Sequence, residues 1–281
     1  MQISMNVYID KYLNDDTIII HKKDSYPKSW IDYLNSKKKF LKKYRYVETF
    51  NFNKYEKLKQ TTGYADPFLK MNKYHDKYEE YFNEFHNIVK NTHFTLICYH
   101  ATRLTKYEVN DIRENGLRCF DKETITKKID LLYNNKYISL KEKNFLIKKN
   151  LLNQEQDRAN KIFYVTGYYD ISYNSHNKSF IFDCLNNYGG EIIYNLTENA
   201  KLLEKLKSHS NPYIVILQIN SKKIDTYQLA NLIFKNFNSK TLNFISCCEN
   251  SCTNISSILD IVSVNKNSKI VYANINKKTS L

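Results

Sequence analysis

The stretch "LICYHATRLTKYEVNDIRENGL", residues 96–117, joins an apolar run to an amphipathic segment and predicts the first β-α unit of the chain. The run of branched and aromatic residues predicts a strand that ends on His100, where the chain would turn. Thr105 and Glu108 have the spacing of a capping box, in which each side chain accepts a hydrogen bond from the other residue's backbone N–H. Gly116 is a natural residue to stop a helix. The stretch therefore predicts a strand, a turn and a short helix between Thr105 and Gly116.

Two interpretations of His100 follow from this predicted position. A histidine at a strand end is either a partly buried packing residue or an imidazole presented to a cleft. Arg103 lies three residues later, beside a helix N-terminus, where the helix dipole disfavours a cation. An arginine in that place gains more from binding an anion than from the helix, which favours the cleft interpretation.

The hydrophobic pattern divides the chain into two parts. Residues 1–92 have helical periodicity, whereas residues 93–281 mix helical segments with short strands. We therefore predict an α+β fold, with a helical, basic N-terminal region at 1–92 and a second domain at 93–281. Beyond residue 117 the predicted helices are 121–134, 140–152, 179–187, 197–207 and 226–236. The predicted strands are 161–169, 191–194, 213–219, 242–247, 258–264 and 269–275.

The N-terminal region carries a strongly basic segment, "KKKFLKKYRY", at residues 37–46. Basic charge beside aromatic rings is the composition that binds phosphates and stacks nucleic-acid bases. It is equally the composition of a solvated helix whose aromatic side chains face the core, and both interpretations stay open. The candidate phosphate-binding cations are Lys38, Lys39, Lys42, Lys43 and Arg45.

The overall charge points to a class of partner. The 281 residues include 43 Lys and Arg against 29 Asp and Glu, a formal net charge of +14, and such a balance favours a polyanion. No apolar window approaches the length of a membrane span, and the N-terminus lacks the apolar core of a signal peptide. We therefore expect a cytoplasmic protein without a membrane partner. The spacing of Cys247, Cys248 and Cys252 is poor for one tetrahedral zinc, so we expect no metal.

Three motifs together resemble a known superfamily. Tyr99-His100-Ala101-Thr102, followed by a helix ending in "IRENGL", is similar to the opening of the ADP-ribosyltransferase fold. That fold is shared by diphtheria-toxin-like toxins and poly(ADP-ribose) polymerases. "KIFYVTGYY", at 161–169, is the counterpart of the family's tyrosine strand, and a later acidic residue would complete its H-Y-E set. The resemblance covers about residues 94–220. It implies an ADP-ribosyltransferase-like split β-sheet core next to the mostly helical N-terminal region.

The resemblance implies a site for NAD+, which is a substrate of this family. His100 would hydrogen-bond the NAD+ ribose, and Tyr164 would stack on the nicotinamide. Thr102 would contact the adenosine side, and Arg103 would pair with the pyrophosphate. A carboxylate would stabilise the ribosyl cation that forms as nicotinamide leaves.

Two glutamates are candidates for that carboxylate. Glu191, in "NNYGGEIIY", follows two glycines in a chain that has only five, and it is the preferred catalytic residue beside His100 and Tyr164. In the resembled family, however, the acid comes on a strand after the counterpart of "IVILQI", and Glu249, in "SCCENSC", has that order. Glu249 lies beyond the strand predicted here and is the second choice.

The implied activity is the transfer of ADP-ribose from NAD+ to a macromolecular acceptor. The net charge favours nucleic acid, RNA or DNA, over a protein acceptor. Members of the family include toxins and phage-defence effectors, which would bring an antitoxin as a partner. Two alternatives remain. One is an RNA-binding ribonuclease-type toxin that uses His100 and Arg103 on phosphates, and the other is a non-catalytic nucleic-acid-binding protein.

Overall fold

The computed structural model shows an α+β protein made of two compact units. The sheet unit contains Met1–Asn14, Leu96–Ile219 and Ser246–Leu281, and the helical unit contains Asp15–Thr95 and Asn220–Ile245. The structure describes residues 2–3, 8–20, 22–119, 121–149, 162–165, 184–187, 199–237, 246–249, 257–264 and 270–271.

The secondary structure of the described residues is mostly helical before residue 95 and mixes helices with strands after it. The α-helices are α1 (Lys28–Thr62), α2 (His75–Lys90), α3 (Lys106–Asn115), α4 (Lys122–Asn134), α5 (Leu140–Lys149), α6 (Ala200–Ser208) and α7 (Thr226–Asn236). The strands are β1 (Gln2–Ile3), β2 (Thr17–Ile18), β3 (Thr95–Leu104), β4 (Ile162–Val165), β5 (Asn211–Asn220), β6 (Ser246–Glu249), β7 (Ile258–Ser263) and β8 (Ile270–Val271).

The two units are not the sequential parts, 1–92 and 93–281, that the hydrophobic pattern predicted. The first 14 residues belong to the sheet unit, and α7 belongs to the helical unit. Packing explains the second difference, because Phe234 of α7 contacts Tyr78 and Phe85 of α2 with ring centroids 5.1 and 5.7 Å apart. An amphipathic pattern shows that α7 has an apolar face but does not show which helix covers it.

Trp30 forms the centre of the helical unit's core and is fully buried. Its ring lies edge-on to Phe85 of α2 and to Phe94, with centroid distances of 6.1 and 5.2 Å. Its indole N–H donates a hydrogen bond to the Thr92 hydroxyl at 3.0 Å, which supplies the partner that a buried tryptophan needs. These contacts hold the first half of α1 against α2.

Helix α1 continues well past this core. Its buried side chains end at Tyr44, and none of the 18 residues from Arg45 to Thr62 is buried. The helix ends at Gly63, whose φ of 71° is in the left-handed region that glycine adopts without steric cost. Within the described parts of the chain, no helix has both the length and the apolar character needed to cross a membrane.

The sheet unit is built around β3. Five of its strands lie in the order β6-β4-β3-β5-β7, and β3/β4, β4/β6 and β5/β7 are antiparallel pairs. The buried run Ile214–Leu217 lies in β5, where the sequence predicted a strand. Because β3 has a neighbour on each side, its residues are fixed by ladders rather than by a loop.

The capping box at the start of α3 is confirmed. Glu108 Oε2 accepts from the Thr105 N–H at 2.7 Å, and Thr105 Oγ1 accepts from the Glu108 N–H at 3.3 Å. The helix ends at Gly116, whose N–H donates to the Ile112 carbonyl at 2.9 Å. The apolar sides of α4, α5 and α6 then form one cluster. Its members include Ile125, Ile129, Leu132, Leu146, Leu202 and Leu206.

Candidate active site

Strand β3 continues to Leu104, so the predicted strand end at His100 is wrong. The polar residues after His100 suggested a turn, but Thr102 and Arg103 are buried within the extended chain. The chain turns only at Thr105, the N-cap of α3. His100 therefore lies in the middle of the central strand, with a half-buried side chain.

The register of β3 and β4 is fixed by one pair next to His100. Tyr99 is the Cα partner of Val165 in this antiparallel pair. In a regular antiparallel ladder the next step sets position 100 opposite position 164, and we expect their Cα atoms to be about 4.5–5.5 Å apart. β3 and β4 are neighbours in the sheet, so the two strands that hold His100 and Tyr164 are adjacent.

Glu249 lies in the same sheet. The sequence predicted a strand over 242–247 and left Glu249 outside it, whereas the structure makes Glu249 the last residue of β6. In the ladder between β4 and β6, Glu249 is the Cα partner of Ile162. Position 249 is therefore diagonal to position 164, a separation of about 7–8 Å in a regular sheet. The predicted strand stopped short because glutamate is depleted in strands, so Glu249 itself did not signal one.

The pairings also indicate which face of the sheet positions 100, 164 and 249 occupy. Position 162 pairs with position 249, and position 99 pairs with position 165, which sets position 100 opposite position 164 if the ladder continues regularly. Because cross-strand partners and alternate residues of a regular sheet lie on the same face, we expect these three positions to share one face. Glu191 lies outside the described residues, so its place in the unit stays a prediction.

Arg103 is engaged in holding the end of another helix. Its guanidinium donates to the Leu185 carbonyl at 2.9 Å, to the Lys207 carbonyl at 3.0 Å, and to both the hydroxyl and the carbonyl of Ser210. Lys207 and Ser210 lie at the C-terminal end of α6, where a cation is favoured by the helix dipole. Burial lowers the pKa of Arg103, and the negative charge of Glu204 opposes part of that shift.

These contacts give Arg103 a structural role in place of the predicted pyrophosphate contact. The Nε and both Nη atoms already donate to protein oxygens, and the side chain is 9% exposed. A ribonuclease site that uses Arg103 to hold a phosphate loses its cation for the same reason. Thr102, the predicted adenosine contact, is equally buried at 9%.

The basic segment of α1 has an inner and an outer side. Phe40 packs against Tyr81 with ring centroids 5.0 Å apart, and Tyr44 stacks on Tyr78 at 4.1 Å. Tyr46, by contrast, is 73% exposed. The aromatic rings therefore divide between the core-facing interpretation and the solvent-facing one.

The cations of this segment divide in the same way. Lys38, Lys39, Lys42 and Lys43 are exposed, and their binding to phosphates stays a prediction. Arg45 is half-buried and donates to the Lys235 carbonyl at the end of α7. Burial lowers its pKa, as it does for Arg103.

A polar cluster that the sequence prediction missed lies on β7. Asp260 Oδ2 accepts from the hydroxyls of Tyr8 and Tyr12, the latter at 2.8 Å, and from the Lys11 ammonium at 3.3 Å. Burial raises the pKa of Asp260, but the hydrogen bonds from Tyr8 and Tyr12 outweigh burial and lower it overall. The signal was readable, because Asp260 is the only charge in the strand "ILDIVS". The cluster ties the N-terminal residues of the sheet unit to β7.

Metal ligands are not grouped in the described part of the chain. There, no set of three or more His, Cys, Asp and Glu residues is arranged to hold a metal ion. Cys247 and Cys248 lie on β6, and Cys252 lies outside the described residues.

Comparison of the chain with protein-family models, with curated proteins and with solved structures yields no match. The chemistry that β3, β4 and β6 can support therefore rests on the residue types and positions given above.

Proposed function

We propose that this chain transfers ADP-ribose from NAD+ to a macromolecular acceptor, with His100, Tyr164 and Glu249 as its site. The observation that carries the proposal is the adjacency of β3, β4 and β6, which hold these residues on neighbouring strands. In the resembled superfamily the acid comes on a strand after the counterpart of β5. Glu249 has that order and Glu191 does not, so Glu249 replaces Glu191 as the preferred acid.

The chemistry needs these residue types. Transfer breaks the bond between the ribose C1 and the nicotinamide nitrogen, which keeps the bonding electrons and leaves an oxocarbenium-like ribosyl cation, as in glycoside hydrolysis. The Glu249 carboxylate would stabilise this cation and take the proton of the acceptor nucleophile as its bond to C1 forms. His100 would hydrogen-bond the ribose, and Tyr164 would stack on the nicotinamide.

The position of His100 suits a ligand-binding residue. It lies on a strand with a neighbour on each side, which limits its movement, and its half-buried side chain keeps part of the imidazole accessible. A preorganised group of this kind binds without first losing much conformational freedom. The acceptor is proposed to be nucleic acid, because the chain carries a net charge of +14.

Purified protein incubated with NAD+ labelled in the adenylate part, together with separate pools of RNA, DNA and protein, tests this proposal. We expect label to enter a nucleic-acid pool. Glu249→Gln should lower the transfer rate by about 100-fold or more, because the carboxylate acts on a charge that exists only in the transition state. NAD+ affinity should change little, since glutamine keeps the size and polarity of the side chain.

Glu191→Gln is the matched control, because it makes the same chemical change at the other candidate. We expect it to keep transfer within about threefold of wild type, the scatter expected of a residue outside the reaction. Loss of transfer in Glu191→Gln with normal transfer in Glu249→Gln would move the acid to Glu191. If the wild-type protein consumes no NAD+ with any pool, the transferase proposal fails.

A further inference from the structure

The outer side of α1 carries a row of cations interrupted by two aromatic rings. Its members recur every three or four residues, which places them along one side of the helix. We call this row the α1 stripe. It consists of Lys39, Lys43, Tyr46, Phe50, Lys54 and Lys57, all exposed.

The two rings of the α1 stripe are unusually open to solvent for their size. Tyr46 is 73% exposed and Phe50 is 58% exposed. They are four residues apart, so their Cα atoms are separated by about 6 Å along the helix axis. Single exposed apolar residues are common on protein surfaces, but two large rings at helical spacing between pairs of lysines form a patterned surface.

The charged residues around the two rings are mostly positive. Residues 37–59 contain nine Lys and Arg against two Glu, and neither Glu48 nor Glu56 has the three-to-four-residue spacing of the α1 stripe. From Lys39 to Lys57 the stripe spans about 27 Å of helix. Its potential therefore suits an extended polyanion better than a small anion or an acidic side chain.

We propose that the α1 stripe binds single-stranded nucleic acid, with lysines on the phosphates and with bases stacked on Tyr46 and Phe50. Exposed aromatic rings in a basic groove or row are the usual means by which proteins hold single strands without sequence preference. A duplex satisfies the charges but hides the faces of its bases, so it gains nothing from the rings. Binding at the stripe does not depend on ADP-ribosyl transfer, so the two proposals can fail separately.

A membrane surface fits α1 less well. Helices that lie on membranes keep their cations on one side and bury a broad apolar side in the lipid. In the first half of α1 the apolar side is already covered within the helical unit, because Trp30, Leu34 and Leu41 are buried there. The two rings lie among the cations rather than opposite them.

Fluorescence anisotropy with labelled oligo(dT) and oligo(U), and with a duplex of the same length, tests this proposal at two salt concentrations. We expect wild-type protein to bind the single strands more tightly than the duplex. Tyr46→Ala combined with Phe50→Ala should weaken single-strand binding at least about fivefold, with an unchanged salt slope. Tyr46→Phe should keep wild-type affinity, because it retains the ring.

Replacing Lys39, Lys43, Lys54 and Lys57 with glutamine should weaken binding and also flatten its salt dependence, because fewer counterions are released. Phe68→Ala is the matched control, since Phe68 is 73% exposed on a short helical turn outside the α1 stripe. Circular dichroism should show that all variants keep the wild-type helix content.

Several outcomes would overturn the proposal. Unchanged affinity in the Tyr46 and Phe50 double variant would show that the rings do not stack on bases. Equal affinity for duplex and single strand would reduce the stripe to general electrostatic binding. Absence of oligonucleotide binding, with binding to phosphatidylserine-containing vesicles, would make the stripe a membrane surface instead.

Discussion

The end of β3 and the outer side of α1 both carry cations that were predicted to bind phosphate. The cation is buried in β3, and the lysines are exposed in α1. Arg103 is buried and donates to four oxygen atoms around the C-terminal end of α6. Lys42 and Lys43 of α1 are exposed. A basic side chain therefore satisfies protein oxygens in the first region and faces solvent in the second.

The difference teaches that burial and donor use decide what a cation can do. A buried guanidinium can be tolerated only when its donors are satisfied, because an unpaired buried polar group is costly. Once satisfied by protein carbonyls, those donors are not available to a ligand. An exposed lysine keeps its hydration and its charge, and it can exchange water for phosphate at little cost.

The largest effect is expected from removing the Arg103 guanidinium. Arg103→Met keeps the apolar stem of the side chain but removes the donors to three carbonyls. We expect it to destabilise the sheet unit by about 3 kcal/mol. Lys42→Met makes the same chemical change on an exposed surface and should alter stability by less than about 0.5 kcal/mol. Urea unfolding followed by far-ultraviolet circular dichroism measures both free energies.

The choice of probe matters in this comparison. The chain has a single tryptophan, Trp30, and it lies in the helical unit, so its fluorescence does not report directly on the surroundings of Arg103. If Arg103→Met and Lys42→Met have equal effects on the dichroism transition, the contrast between the two regions is not energetic. A variant of Arg103 that keeps stability but loses NAD+ binding would restore the predicted pyrophosphate contact.

His100 lies three residues from Arg103 on the same strand. Its replacement should affect NAD+ binding more than stability, whereas replacement of Arg103 should mainly affect stability. His100→Ala should weaken NAD+ binding about tenfold, the value of one hydrogen bond to a ligand, and turnover should fall with it. Stability should change less than in Arg103→Met, because the imidazole is only half-buried. Isothermal titration with NAD+ gives the affinity, and exposed His93→Ala is the control. Wild-type NAD+ affinity in His100→Ala would remove His100 from the site.

The parts of the fold that depend on neighbouring residues could be predicted from the sequence. Helix α3 and its capping box were predicted because Thr105 and Glu108 satisfy each other's backbone within four residues. A helix at 226–236 was also predicted, and in the structure the Asp225 side chain caps the first turn of α7. In both helices the capping side chain and the backbone N–H groups it satisfies lie within one turn of each other, so the contact is local in the sequence.

The parts that depend on distant contacts could not be predicted. Arg103 suggested a loop or an anion site, because the oxygens that satisfy it come from residues 185, 207 and 210. Glu249 seemed to lie beyond a strand, because its ladder partner is Ile162. Such pairings set the register and the burial of a strand. They join residues far apart in the chain, so the local sequence pattern does not reveal them.

An ion pair between α5 and α6 lies between the two extremes of the comparison, because its partners are partly exposed. The Glu142 carboxylate accepts from Lys205 at 2.8 and 3.1 Å, and from the Ser139 N–H at 2.6 Å. The hydrogen bond from Lys205, followed by the one from the Ser139 backbone, lowers the pKa of Glu142 to about 2 from its ordinary value of 4.5.

The lowered pKa predicts a small loss of stability in acid. Above pH 4.5 the carboxylate is charged in both states and its stabilisation is complete; as the pH falls towards 2, the unfolded chain takes up the proton first and the stabilisation is lost. A double-mutant cycle of Glu142→Gln and Lys205→Gln should give a coupling of about 0.2–1 kcal/mol at neutral pH, because the pair is partly solvated. Urea unfolding at several pH values should show this coupling vanish near pH 2, whereas exposed Glu114→Gln with Lys205→Gln should show none at any pH. A coupling that persists at pH 2 would mean that the contact is held by packing rather than by charge.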